Sequence, residues 1–170
     1  ILGSTGSIGK IKFNIIKKNK KNFEVVLLTT NKNINEIMKQ VKIFSVKNLI
    51  INDKKKYLII KNKLKNKKIN IFNNFESINV IFKKKIDYCM CAISGLDGLK
   101  STLDMIKFSK TIAIANKESL ICGWDLINKE LKKNKTKFIP VDSEHFSIRS
   151  LLKGMNKFNV QKIIITASGG

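Results

Sequence analysis

Short apolar runs of strand length recur along this chain, separated by longer stretches studded with lysine. They are FEVVLL (23–28), KNLII (47–51), KINIF (68–72), IDYCMCAI (86–93), TIAIA (111–115), KFIPV (137–141) and KIIITA (162–167). Strands that are apolar almost throughout, each followed by a helical stretch, belong to a parallel sheet covered on both faces. The expected fold class is therefore α/β, a doubly wound, mostly parallel sheet with helices on both faces. Between the strands, NINEIMKQVKIF from Asn33 puts Ile34, Ile37, Met38, Val41 and Phe44 on one helical stripe, with the asparagine available as cap. GLKSTLDMIKF repeats the pattern with Leu99, Leu103 and Ile106. Both stripes are read as faces that pack on the sheet. The lysine-rich segment 52–70 still carries Leu58, Ile59 and Leu64 and is read as a helix with a solvated face. The single proline, Pro140, points to an edge strand or a strand end.

At 170 residues the chain has the size of one ordinary domain. Its first residue is Ile1, close before a glycine turn, and it ends on ITASGG, where a strand reaches another. Both ends are expected to be those of a fragment. The net charge of +22 invites a nucleic-acid reading. Arg149 is the only arginine, however, and recognition of bases and phosphates draws on the bidentate guanidinium. Lysine, asparagine and isoleucine are also the residues with the most A/T-rich codons, so genome composition accounts for the charge, and no nucleic-acid partner is expected. Cys89, Cys91 and Cys122 are odd in number and form no C-x-x-C pair, which argues against a disulfide framework or a structural zinc and for a reducing compartment. No apolar run approaches the roughly 20 residues of a membrane span, and no membrane partner is expected. There is no internal repeat.

The stretch ILGSTGSIG places Gly3, Gly6 and Gly9 between a strand end and a helix that continues through Ile11, Ile15 and Ile16. Glycine there permits a tight turn and a close approach to a pyrophosphate, while the free amides and dipole of the helix start attract the anion. Thr5, Ser7 and Ile8 supply some of those amides. The spacing is G-x-x-G-x-x-G, and its strand-turn-helix setting makes it a Rossmann-like, dinucleotide-binding feature; an αβ turn that binds nothing is the alternative. Sites that prefer NAD place a carboxylate at the tip of the second strand to hold the ribose hydroxyls. Here that tip reads LLTTNKN: Lys32 offers a positive charge, with Thr30, Asn31 and Asn33 as neutral neighbours. NADPH is expected over NADH.

In a chain this basic, IPVDSEHF stands apart, because Asp142, Glu144 and the only histidine lie within four residues at a strand end. Two carboxylates can offer oxygens to a hard divalent cation, and Ser143 can donate to a phosphate or hydroxyl. The same spacing also permits a helix N-cap with a glutamate in the first turn, and spacing alone does not choose between them.

Taken together and in order, ILGSTGSIG, AIANKESLICG, PVDSEH and ITASGG resemble the amino-terminal half of the 1-deoxy-D-xylulose 5-phosphate reductoisomerase family, over essentially the whole chain. The resemblance implies an enzyme of isoprenoid synthesis that uses NADPH and a divalent metal, Mg2+ or Mn2+. Such an enzyme rearranges and reduces the sugar phosphate 1-deoxy-D-xylulose 5-phosphate to 2-C-methyl-D-erythritol 4-phosphate. It implies that Thr5, Gly6, Ser7 and Ile8 hold the cofactor pyrophosphate and its neighbours, that Asn31, Lys32 and Asn33 surround the adenosine phosphate, and that Asn116 and Glu118 touch the cofactor. Asp142 and Glu144 would bind the metal. Lys117, Ser143, Glu144 and Ser168 would bind substrate, with Lys117 and Glu144 as the catalytic pair and His145 as a local orienting residue. Residues 1–140 would form the NADPH-binding domain and 141–170 the start of the metal- and substrate-binding domain. The family implies a homodimer at full length, in a bacterial cytoplasm or alternatively a plastid.

Three departures accompany the resemblance. Asn31 stands where a glycine is usual, Ser101 where a proline is usual, and FSIRS follows His145 in place of an Asn-Ala-Ile-Phe-Gln run. Because the family's third carboxylate ligand lies past Gly170, these 170 residues alone are expected to bind NADPH weakly at best and not to turn over. The competing readings are another NADP-dependent dehydrogenase, a lysine-rich nucleic-acid-binding protein and a non-catalytic remnant.

Overall fold

The computed structural model describes residues 1–155, 160–162 and 164. Parallel strands alternate with helices: α1 (Ser7–Lys18), β1 (Leu27–Thr30), α2 (Ile34–Ile43), β2 (Asn48–Ile51), α3 (Lys54–Lys63), β3 (Asn70–Phe72), α4 (Ile78–Ile81), β4 (Ile86–Cys91), α5 (Asp97–Ile106), β5 (Ser109–Ile114), α6 (Lys117–Asn134), β6 (Lys137–Pro140) and α7 (Ser143–Leu151). The named strands form two three-stranded parallel sheets, β1-β2-β3 and β4-β5-β6.

Residues 1–4 join them. Leu2 N donates to Met90 O at 2.8 Å and Ala92 N donates to Leu2 O at 3.0 Å on one side; Thr29 N donates to Ile1 O at 3.2 Å and Ser4 N donates to Thr29 O at 3.0 Å on the other. The spatial order is therefore β3-β2-β1, then residues 1–4, then β4-β5-β6. Chain direction across the sheet reverses its order at residues 1–4, which is the switch point where open α/β sheets leave a crevice outside the strand ends.

Side-chain alternation fills two layers. Leu27 and Ile50 enter one buried cluster with Leu2, Cys89, Ile112 and Ile114, while their neighbours Leu28, Leu49 and Ile51 enter a second cluster with Phe13, Ile37 and Ile60. Each fully buried Leu or Ile contributes roughly 1.5–3 kcal/mol. The predicted stripe of α2 packs on the second cluster, and Leu99, Leu103 and Ile106 of α5 pack on the first. In α3, Ile60 and Leu64 are buried, whereas Leu58 and Ile59 face solvent. Among the described strands β6 is the outer one of its sheet, with Pro140 as its last residue.

Several boundaries differ from the apolar runs. The run 23–28 predicts a strand that in fact occupies Leu27–Thr30. Phe23 is exposed, and the strand continues through two threonines because the glycine turn satisfies their hydroxyls: Thr29 Oγ1 accepts from Gly3 N at 2.8 Å and Thr30 Oγ1 meets Thr5 Oγ1 at 2.6 Å. β4 stops at Cys91, two residues before the end of its run, and β5 begins at Ser109. Ser109 enters the buried strand because its hydroxyl donates to Met105 O at 2.8 Å. The strand expected over 162–167 falls largely outside the described residues. All three thiols are free, with Cys89 and Cys91 buried and Cys122 exposed. Among the described residues no helix is long and apolar enough to cross a membrane.

Candidate functional site

The crevice begins at the glycine turn. Gly3 has φ +70°, and a Cβ there would lie 2.6 Å from Ala92 O; one on Gly9 would lie 2.2 Å from Gly3 O. Gly6 differs, since its Cβ would meet nothing closer than 3.5 Å. It occupies the N-cap of α1 in extended conformation and offers no side-chain cap, and the amides of Thr5, Ser7, Ile8 and Gly9 have no partner among the described residues. Free donors at the positive end of a 12-residue helix suit an anion. Ile8 also lines a cavity of about 250 Å³ whose other walls are residues 92–94 and 115–118.

Asn116 closes the floor of that cavity and is buried. Its Oδ1 accepts from Ser119 N at 3.1 Å to cap α6, while its Nδ2 donates to Ile93 O at 2.7 Å and to Gly95 O. Gly98 makes room for this: a Cβ there would stand 2.8 Å from Asn116 Nδ2 and 2.7 Å from Ile93 O. Asn116 thus ties the ends of β4 and β5 together and sets out Lys117 and Glu118, both exposed, as the first residues of α6.

Lys117 reaches across to the next strand end. Its Nζ lies 2.9 Å from both carboxylate oxygens of Glu144. Ser143 Oγ donates to Glu144 Oε2 at 2.8 Å. The Lys117 ammonium, the backbone amide of Glu144 itself and the Ser143 hydroxyl together hold the Glu144 carboxyl down at about 2, and its carboxylate holds Lys117 above the usual lysine value. Asp142, its side chain 2% exposed, caps α7: Oδ1 accepts from His145 N at 3.0 Å and from His145 Nδ1 at 2.6 Å. The other oxygen, Oδ2, is buried with no partner among the described residues. The cap and the ligand readings of this motif are thus compatible, because capping uses one oxygen of Asp142 and leaves the second.

That second oxygen is what a hard cation would fit, since a buried carboxylate oxygen without a donor is costly until positive charge meets it. Glu144 already faces a cationic group with both oxygens. Asp142 Oδ2 and the Glu144 carboxylate could offer oxygens to a divalent metal; among the described residues no group of three or more His, Cys, Asp or Glu side chains could hold one.

At the other end of the turn, Asn31, Lys32 and Asn33 are exposed beyond β1. Asn33 Oδ1 is committed to capping α2 through Glu36 N at 3.1 Å, which leaves its Nδ2 for a ligand. The nearest acid by strand order, Asp53 at the end of β2, is committed to capping α3 through Lys56 N at 2.8 Å. Asn31 does not adopt positive φ, so the backbone there does not require the glycine usual at that position. Ser101, in place of the usual proline, donates to Gly98 O at 3.1 Å and leaves no buried hydroxyl unpaired.

The fold brings Thr5, Gly6, Ser7 and Ile8 to the start of α1, with Asn116, Lys117 and Glu118 across the switch point from them. Asp142, Ser143 and Glu144 stand at the adjacent strand end, and Asn31, Lys32 and Asn33 flank the other side. Ser168 lies outside the described residues. Gly98 and the loop 92–95 belong to the site without a recognisable motif. Their signal was a glycine pair, Gly95 and Gly98, just after a strand, but its use depends on which strand lies beside residues 1–4.

Residues 1–123 match the family model of 1-deoxy-D-xylulose 5-phosphate reductoisomerase, and residues 138–170 match that of the 1-deoxy-D-xylulose 5-phosphate reductoisomerase C-terminal domain. The 1-deoxy-D-xylulose 5-phosphate reductoisomerase of Pelagibacter ubique is 63% identical over 172 residues, covering 100% of this chain and 44% of the relative. That of Buchnera aphidicola is 40% identical over 183 residues, covering 100% of this chain and 46% of the relative. Among solved structures, the enzyme from Zymomonas mobilis in complex with NADPH superposes with a TM-score of 0.80 at 32% identity, over 93% of this chain and 41% of that one. A DOX-P reductoisomerase in complex with NADPH, fosmidomycin and magnesium does so with a TM-score of 0.78 at 30% identity, over 85% and 36%. The chain spans somewhat less than half the length of these relatives.

Proposed function

This chain belongs to the 1-deoxy-D-xylulose 5-phosphate reductoisomerase family, and from that premise we propose that it forms the NADPH-binding half, and the first part of the metal and substrate half, of an enzyme converting 1-deoxy-D-xylulose 5-phosphate to 2-C-methyl-D-erythritol 4-phosphate. The observation that carries this reading is the Lys117–Glu144 contact at 2.9 Å, which joins the two motifs ANKES and DSE at the mouth of the crevice beside the glycine turn.

In this reading the amides of Thr5, Ser7 and Ile8, with Gly6, receive the cofactor pyrophosphate, and Asn31, Lys32 and Asn33 receive its adenosine phosphate. Asn116 and Glu118 touch the cofactor. Asp142 and Glu144 hold the divalent cation, Mg2+ or Mn2+. Ser143, Ser168 and Lys117 orient the sugar phosphate, and Lys117 must release Glu144 to do so. When bound, NADPH supplies the hydride, and the cation supplies positive charge against the negative charge that develops on the substrate oxygens. Residues 1–140 act as the cofactor-binding domain and 141–170 as the start of the catalytic one. The assembled enzyme is read as a homodimer of a bacterial cytoplasm, on the strength of its bacterial relatives and its free thiols.

The test is NADPH consumption by the full-length protein with 1-deoxy-D-xylulose 5-phosphate and Mn2+. Turnover that needs both the substrate and the metal, and prefers NADPH to NADH, is the expected result. Tight RNA retention without NADPH affinity would overturn it.

A further inference from the structure

On the buried stripe of α2, among Ile37, Val41 and Phe44, one position is polar. Gln40 is 1% exposed, and its Nε2 donates to the Ser4 carbonyl at 2.9 Å, from 36 residues away. Its Oε1 is buried without a partner among the described residues. The amide cannot be turned the other way, because that would set two acceptors face to face. A methionine or leucine would fill the same space and bury no orphaned Oε1, but would leave the buried Ser4 carbonyl without its donor, so what the glutamine adds to packing is its hold on that peptide.

The bond fixes the peptide between Ser4 and Thr5. That peptide is trans, and a trans peptide directs its C=O and N–H to opposite sides. With the Ser4 carbonyl held toward α2, the Thr5 N–H faces away from α2, and like the amides of Ser7, Ile8 and Gly9 it has no partner among the described residues. Ser4 is anchored from its other side as well, by its own N–H and hydroxyl, which donate to Thr29 O at 3.0 and 3.2 Å.

We propose that Gln40 is a positioning residue for the cofactor: by holding the Ser4 carbonyl it aims the Thr5 amide at the pyrophosphate. The proposal rests on the NADPH reading above. It assigns the pyrophosphate, not the adenosine phosphate, as the group whose binding Gln40 controls.

The experiment compares full-length wild type with Gln40→Met by calorimetric titration of NADPH and of adenosine 2′-monophosphate, which carries the adenosine phosphate but no pyrophosphate. Wild-type affinity for NADPH is expected to fall about tenfold in the variant, the scale of one charge-assisted hydrogen bond, while adenosine 2′-monophosphate binds equally to both. Equal NADPH affinity in the two proteins, or equal loss of both ligands, overturns the proposal and leaves the function reading intact. A wild type that binds no NADPH overturns both. A second measurement needs no variant: in amide NMR of the wild type, the Thr5 N–H must shift on NADPH addition along with Ser7 and Ile8. A Thr5 amide that stays put while the others move overturns the proposal.

Discussion

Gly9 and Gly6 belong to one motif but carry different loads, and alanine at each separates them. At Gly9 the new Cβ would stand 2.2 Å from Gly3 O, 2.7 Å from Ser4 Cα and 2.8 Å from Ser4 C. Comfortable C···O contacts begin near 3.3 Å, so the start of α1 and the glycine turn must part by about 1 Å. All three atoms are backbone, and no side-chain rotation relieves the clash. Forcing a group into such a space costs about 1–3 kcal/mol, here at the upper end, against at most about 1 kcal/mol gained in helix propensity. Gly9→Ala should therefore lose about 2 kcal/mol, a fall in Tm of roughly 4–8 °C for a chain of this size. At Gly6 the nearest atom to the new Cβ is 3.5 Å away, and φ is −73°. Gly6→Ala should change stability by less than about 1 kcal/mol, the difference between a glycine and an alanine N-cap. Thermal and urea denaturation of both variants give the comparison. A Gly9→Ala protein as stable as wild type, or a Gly6→Ala protein that falls as far, would refute the geometry of the turn.

Three further outcomes follow from the site. Asn116→Ala should cost about 2–3 kcal/mol, from the lost α6 cap and the abandoned carbonyls of Ile93 and Gly95, and Asn116→Asp, which keeps the cap but sets a buried carboxylate oxygen against those two carbonyls, should cost at least as much; chemical denaturation of both variants checks this. The Glu144 carboxyl is held at about 2 in the fold against an ordinary 4.5, so its contribution to stability is present above pH 4.5 and is lost as the pH falls toward 2. Lys117→Met should move that titration back toward 4.5, read as the carboxyl carbon shift by NMR, and an unmoved midpoint would count against the ion pair. Lys32→Ala should weaken NADPH binding about tenfold and leave NADH binding unchanged, and an equal loss for both would remove Lys32 from the adenosine phosphate.

Much of this protein was legible in its residues. Alternating apolar runs and helical stripes determined an α/β sheet covered on both faces, because burial on two sides demands strands that are apolar throughout. The glycine turn, the missing acid after β1, and ANKES and DSEH carried the family resemblance and the expectation of phosphates and a hard cation, which call for free amides, positive charge and oxygen ligands. Strand ends were less legible where polar side chains entered the sheet: the hydroxyls of Thr29 and Thr30 are satisfied by the glycine turn, distant in sequence, and that of Ser109 by Met105 O at the end of the preceding helix.

Strand order was beyond local pattern altogether. In a parallel sheet it is set by crossovers and by pairing between segments dozens of residues apart, so only the folded chain could place residues 1–4 between β1 and β4. That placement makes the crevice and brings the loop 92–95 against Gly3. The sequence determined which amides, cations and carboxylates this protein has to offer. The tertiary structure decided that Lys117 faces Glu144, that Asp142 keeps one oxygen without a partner among the described residues, and that a glutamine on a neighbouring helix holds the Ser4 carbonyl.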